Sequence, residues 1–383
     1  MRVTRASGRS YPRTKSVVAL VGLVLAAGGC QPTFHERYGG AGNDLARFVR
    51  EAPDGDLMFG GRVGAGDGLL LRTDGAGFER WSRSFGAGGS DGFESALLRS
   101  DGGALVAGVE AGNAGDAWLV AVGQDGAEVE SLTYPGPALE QVVALAATPD
   151  HGVILAGNLL AGTPEGFDHW ALLIKLDASY GEEWRQYYGG PDQPGLADVV
   201  ATQDGGYVFV GSQADGGGST QAWLVKVDGS GALQWERRFP STYAAASVVA
   251  TDDGGFAIGA AAAPGNLGAV LLRTDAHGDE EWRRSYGDPD FNVGEMASTL
   301  EGGFAFGGTK DSALHLLVAD AAGNRIVETT LDRGSLGYAG ADLVQTRDGG
   351  FAVVSTCKPP SESNHDLCLA KTDALGRSAP APG

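Results

Sequence analysis

A short turn signal recurs seven times along this chain, and an ordinary helix-and-sheet domain has no use for such a pattern. It is Asp-Gly-Gly or a close variant, beginning at Asp54, Asp101, Asp150, Asp204, Asp253, Glu301 and Asp348. The gaps between successive signals are 47, 49, 54, 49, 48 and 47 residues. A second marker keeps the same step. It is an Asp with a glycine three or four residues on, at Asp74, Asp177, Asp228, Asp275, Asp320 and Asp373, with Gly123 in its place in the second unit. A tryptophan follows at Trp81, Trp184, Trp235 and Trp282, then an aromatic and often a glycine, as in Tyr188-Gly189-Gly190. Repeats of this length mean that each unit buries its apolar face against a neighbour.

Each unit carries four strand signals. In the fourth, ADVVAT precedes Asp204-Gly205-Gly206, a hairpin turn whose glycines accept positive φ. YVFVGS follows, then a polar glycine-rich loop, then AWLVKVD, a second tight turn and ALQWERRF, in which Leu233, Trp235 and Arg237 alternate with Gln234, Glu236 and Arg238. No helical period survives downstream of the N-terminal segment. Four strands in about 50 residues match a β-propeller blade. An open β-solenoid is the competing all-β reading. The seventh unit discriminates, because it reaches Asp373-Ala374-Leu375-Gly376 and stops without a fourth strand. The N-terminal FHERYGG at 34–40 matches WRQYYGG at 184–190 and WRRSYGD at 282–288, with Phe34 where the others carry tryptophan. The expectation is an all-β, seven-bladed β-propeller of four-stranded blades, its ring closed by the N-terminal strand 34–38, which removes two free sheet edges. It occupies 30–376, between a leader at 1–29 and a short tail at 377–383.

The repeats also assign bland roles. Trp118, Trp170 and Trp223 share one place in the third strand, and the four tryptophans of the fourth strand share another. Fixed registry points to packing between blades. Arg72, Lys175, Lys226, Arg273 and Lys371 recur among apolar neighbours and are expected to form a repeated ion pair or to cover the blade edge.

Charge excludes some partners. Lys plus Arg number 28 against 48 Asp plus Glu. Five of the basic residues lie in the first 29 positions with no acid among them, so the remainder has a net charge of −25. Such a body is no nucleic-acid binder, because phosphate contacts need positive charge. It is also unsuited to flat adsorption on anionic lipid.

The first 29 residues read as a leader: Arg2, Arg5, Arg9, Arg13 and Lys15, then the apolar run VVALVGLVLAAGG up to Cys30. AAGGC resembles the lipobox of bacterial lipoproteins, with Ala27 where leucine is usual. The resemblance implies lipid attachment at Cys30 and, with Gln31 after it, the outer membrane; without lipidation the chain is secreted. Cys357 and Cys368 bracket the polar stretch CKPPSESNHDLC. An oxidising compartment permits a disulfide there; two buried free thiols are the alternative.

Let strands in a blade be A to D in outward order. The A–B and C–D turns are short and uniform, whereas the B–C and D–A connections vary. Antiparallel order puts the two kinds at opposite ends, and diverse loops on a rigid scaffold are where binding usually sits. Acidic residues recur where the D–A connection enters strand A: Asp44, Glu94, Glu140, Asp198, Glu295 and Asp342. They are expected either to form an acidic collar that attracts a cation or basic peptide, or to reflect an acidic composition. Leu159, Leu160 and Phe167, in the connection 157–168, are expected to be exposed as a partner contact. Because the closing strand begins at the uniform end, a lipid on Cys30 holds that end toward the membrane and leaves the diverse end free.

Local catalytic signals are missing. The six histidines are scattered, no HExxH or G-x-S-x-G occurs, and no glycine-rich piece precedes a helix. No metal site and no cofactor is expected. The consensus YGG…A…TxDGGyxxxGs…WLvKxDxxGxxxW resembles the β-propeller repeat lipoproteins of bacterial envelopes over 34–376. LLIKLDASYGEEW at 172–184 resembles the repeat of pyrroloquinoline-quinone-dependent dehydrogenases and of the related outer-membrane-assembly propeller lipoprotein, which typically have eight blades. The resemblance to the assembly lipoprotein implies a scaffold role, and with the catalytic signals missing and one end diverse the expectation is a non-enzymatic envelope lipoprotein that binds a protein or glycan partner through its loop-rich end. The alternatives are a hydrolase or lyase acting on glycan or peptide with acids from inter-blade loops, and a quinone-cofactor oxidoreductase.

Overall fold

A computed structural model describes residues 33–378, apart from residues 41, 65, 87, 88, 90, 111–114, 164–165, 191–193, 215–218, 241, 263–267, 288–290, 311–312, 333–341 and 359–363. The leader and Cys30 lie outside the described residues. The fold is an all-β, seven-bladed β-propeller of four-stranded antiparallel sheets. Blade 1 sets the pattern: β2 (Leu45–Glu51), β3 (Leu57–Val63), β4 (Asp67–Thr73) and β5 (Glu79–Phe85) pair in chain order. Five further sheets repeat that order. The seventh consists of β26 (Asp342–Gln345), β27 (Phe351–Cys357) and β28 (Asp366–Lys371), completed by β1 (Phe34–Tyr38) at its D edge. The pairing runs from Phe34 opposite Lys371 to Tyr38 opposite Leu367.

The described residues divide into two compact units, one within 107–119 and 132–296, the other within 33–106, 120–131 and 297–378. In each, the core is built from B and C strands, buried on both faces and therefore almost continuously apolar, as in YVFVGSQA at 207–214 and TQAWLVKV at 220–227. The D strands are edges. LQWERRF at 233–239 and EEWRRSY at 280–286 alternate charged, exposed side chains with half-buried aromatics, which blunts edge-to-edge pairing.

Aromatic residues on D strands cover the C–D turn of the next blade. In the first unit, Trp184 lies against Gly231 and donates its Nε1 hydrogen to Gly229 O at 3.1 Å, and Trp235 lies against Gly278. In the second, Trp81 covers Gly126 and Phe34 covers Gly77 in the same way. Tyr188 OH donates to Gly231 O at 2.7 Å, and Tyr38 OH to Gly77 O at 2.6 Å. Gly77 has φ of 88° and leaves no room for a Cβ beneath the ring. Phe34 therefore occupies the tryptophan register that its alignment with Trp184 predicts. Trp118 and Trp223 are buried. We expect Phe34→Ala to cost about 3 kcal/mol, the usual penalty for emptying a buried phenyl site. Phe34→Trp, which restores the residue used elsewhere, should cost well under half of that; thermal or urea denaturation reads both.

The repeated basic residues form the predicted ion pairs. Lys226, almost fully buried, reaches Asp204 at 2.9 Å, and Lys175 and Lys371 reach Asp150 and Asp348 at 2.8 Å. Arg72 pairs with Asp54 at 2.6 Å and Asp56 at 2.9 Å. The A–B turn acid also accepts from a threonine two residues back, as from Thr251 to Asp253 at 2.7 Å, and from the second glycine's N–H. Thr-x-Asp-Gly-Gly and the buried cation thus form one clamp joining turn to C strand. In the second blade Ala121 stands at the cation's place, and Arg99, at the threonine's, pairs with Asp101 instead.

Burial pushes the Asp204 carboxyl up, but donors from Thr202, Lys226 and Gly206 outweigh it and hold it at about 2. The Thr251 hydroxyl, then the Gly255 N–H and Arg273, hold Asp253 at about 2. Folded values below the ordinary 3.8 mean that this stabilisation is present above about pH 4 and disappears as pH falls toward 2. The acids are more than half exposed while their cations are buried. Asp204→Ala should therefore cost about 3 kcal/mol by stranding the Lys226 ammonium, and Lys226→Met less than about 1 kcal/mol. Equal losses in urea denaturation at pH 7 would contradict the asymmetry.

Candidate functional site

The six acids singled out at the entry to strand A occupy three different registers. Counted back from the A–B turn acid, Asp198, Glu295 and Asp342 lie six residues before it, Glu94 seven, and Asp44 and Glu140 ten. Asp91 shares the ten-residue register and is almost fully buried; the same count along the sequence would have found it.

At the six-residue register the carboxylate stitches neighbouring blades together. Asp342 Oδ2 accepts from Val49 N at 2.9 Å and from Arg50 at 2.5 Å, while its Oδ1 accepts from Leu343 N at 2.7 Å. Asp198 accepts from Val199 N at 2.8 Å and from Val248 N at 2.9 Å. Val49 and Val248 both follow a β-bulge in their strands, between Ala46 and Phe48 and between Ala245 and Ser247. A bulge interrupts the ladder, and the neighbouring blade's carboxylate takes the amide just beyond it. Glu295 is half-buried at the equivalent place. Asp198→Ala or Asp342→Ala should each cost about 2 kcal/mol, since a buried N–H loses a charged acceptor, and amide hydrogen exchange at Val248 or Val49 should accelerate selectively.

At the ten-residue register the carboxylate clamps the D–A connection. Asp44 accepts from Gly40 N at 2.7 Å and Gly64 N at 2.9 Å; burial pushes its carboxyl up against these two donors. Gly39 lies so tightly between the Asp44 and Asp366 carboxylates that no side chain fits there. Asp366, also buried, has Arg37 at 3.4 Å. Glu140 has no exposure; its oxygens meet Arg185 at 2.6 Å and Tyr187 OH at 2.9 Å, and burial raises its carboxyl despite both. Glu94, pushed up by burial, has Arg47 Nε at 2.9 Å. Among the described residues, no three of His, Cys, Asp and Glu come together as metal ligands. Asp44, its carboxyl raised by burial, and Asp366, beside Arg37, both crowd the Gly39 position.

The connection 157–168 is no open loop. Strands β11 (Val153–Thr163) and β12 (Gly166–Leu176) extend through it as a ribbon, with Gly162 opposite Phe167. Leu159, expected to be exposed, is buried at 6% because it is paired opposite Trp170 inside the ribbon; Leu160, at the next position, is half-buried. The side chain of Phe167 lies outside the described residues. Cys357 and Cys368 are joined by a disulfide across β27 and β28, with Cα atoms 5.8 Å apart.

No family model matches the chain, and no curated protein matches it. Solved structures share its fold. A protein of unknown function from Dyadobacter fermentans superimposes with TM-score 0.54 at 12% identity, covering 88% of this chain and 98% of that one. Virginiamycin B lyase from Staphylococcus aureus gives 0.58 at 10%, covering 89% and 99%. Puromycin hydrolase gives 0.56 at 14%, covering 88% of this chain and 54% of that one. At these identities the likeness is one of fold, and this propeller scaffold carries both proteins named as enzymes and proteins without an assigned activity.

Proposed function

We propose that the chain is an exported, lipid-anchored propeller that engages an envelope protein or glycan through its B–C and D–A connections. One observation carries this reading. The A–B ends of blades 1, 3, 4, 5 and 7 repeat one acid-to-buried-cation clamp, whereas the connections at the opposite ends differ in length, charge and contacts, as at Asp44, Glu94 and Glu140. Uniform ends serve the scaffold, and variable ends on a rigid scaffold are free to specialise. The lipobox-like AAGGC before Gln31 supports anchoring at Cys30.

A second reading is a hydrolase or lyase that acts on a glycan or peptide at the same ends. The comparisons favour it, since a lyase and a hydrolase are among the similar folds, and the Asp44–Asp366 pair is the observation within this chain that supports it. Two measurements separate the readings. Photo-crosslinking in cells from positions 160 and 169 on the β11–β12 ribbon should trap one discrete envelope component under the first reading; no discrete adduct overturns it. Product release from purified envelope glycan or peptide, abolished in Asp44→Asn with the fold retained, decides for the second. Cys30→Ala should move the chain from the membrane to the soluble fraction, and retention in the membrane overturns the anchor.

A further inference from the structure

Departures from the repeat separate what the scaffold needs from what this chain has added. Near the end of strand B, one register is used to hold the next blade. Asn158 accepts from Leu196 N at 2.7 Å and donates to Leu196 O at 3.0 Å, and Thr356 accepts from Ala46 N at 3.0 Å. In blade 1 that register holds Arg62. Its guanidinium lies over Gly92, where any Cβ would fall 2.8 Å from Nε, and Nε is buried with no hydrogen-bond partner among the described residues. Blades 3 and 7 thus place a polar clamp at this register, blades 2 and 5 place Val109 and Ala261, and blade 1 places a cation whose Nε makes no such hydrogen bond.

The same seam breaks the repeat twice more. Seven residues before the A–B turn acid, blades 3, 4, 5 and 6 have Val143, Ala197, Ala246 and Gly294, whereas blades 1 and 2 have Arg47 and Glu94. Arg47 Nε approaches the Glu94 carboxylate to 2.9 Å, but the N–H is not aimed at it, so the contact is an ion pair without a hydrogen bond. Arg62 attracts the same carboxylate. Two guanidinium groups therefore share one acid in a chain with a net charge of −20. Arg47 keeps 34% of its side chain exposed and Glu94 22%, so solvent reaches the group. At this register blades 3 to 6 carry no charged residue.

We propose that Arg47, Arg62 and Glu94 form an anion site at the seam of blades 1 and 2, which takes a carboxylate-bearing ligand. The planar guanidinium matches a carboxylate through paired N–H donors. An incoming carboxylate completes the alternation of charge that Glu94 alone leaves short, and it accepts from guanidinium N–H groups that Glu94 leaves unused. The inference goes beyond the partner and enzyme readings, because a chain that recruits no partner and turns over no substrate still binds the anion.

The test is titration calorimetry of the full chain with sodium succinate against sodium chloride at matched ionic strength. Saturable succinate binding is expected. Arg62→Gln should weaken it about tenfold, as one charge-assisted contact is lost. Glu94→Gln should tighten it several-fold, since the competing internal carboxylate is gone. A structural Arg–Glu–Arg bridge predicts the opposite, lower stability in Glu94→Gln with no gain in binding. Arg284→Gln, on the D strand of the fifth blade, should leave binding unchanged. Absence of saturable binding to a folded wild-type chain overturns the proposal. So does equal weakening by Arg62→Gln and Arg284→Gln, or failure of Glu94→Gln to tighten binding. Circular dichroism of each variant confirms that the fold is present.

Discussion

The antiparallel pairing of β1 with β28 is the contact on which the last sheet depends. Five residues from the start of the described chain supply the D strand that the seventh repeat lacks. Without them β28 would present an open row of backbone donors and acceptors, and Gly77 in the next C–D turn would lose its cover. Sequence-distant segments meet here through a backbone ladder and an aromatic cover of the kind Trp81 provides over Gly126 in the same unit.

The other recurring device lies in the Thr-x-Asp-Gly-Gly turn. Its acid caps the turn's own N–H groups and holds a buried Lys or Arg from the C strand. One residue thereby satisfies backbone donors and a buried charge at once. That economy explains why the turn is so monotonous and why function is better sought at the other strand ends. There the carboxylates divide their work by register. Asp198 and Asp342 take amides next to bulges in the adjoining blade, and Asp44 and Glu140 fasten the D–A connections. An acid that is already hydrogen-bonded to backbone is poorly placed to act as a free collar. Asp44 is bonded to backbone in this way too, and it shares the crowded Gly39 position with Asp366.

Much of this was readable from spacing. The blade count, the strand order, the closing role of residues 34–38, the repeated ion pair and the packing role of the tryptophans follow from periodicity, because a repeat exposes any residue that every unit must keep. The disulfide between Cys357 and Cys368 was one of two open alternatives, and adjacency of β27 and β28 resolved it. Leu159 departs from the expectation because a glycine-containing polar stretch resembles a loop, while cross-strand pairing continues through it to Thr163 and buries Leu159 opposite Trp170.

What the sequence by itself determined is the architecture, since hydrophobic alternation and turn glycines act locally and are copied in each unit. What only the tertiary structure decided is the company each charged residue keeps. Asp342 meets Val49, Asp44 meets Asp366, and Arg47, Arg62 and Glu94 meet at one seam across separations in the chain that no local pattern encodes. The physical reason is that a carboxylate's role is set by burial and by the donors that reach it, and both are properties of the packed blades.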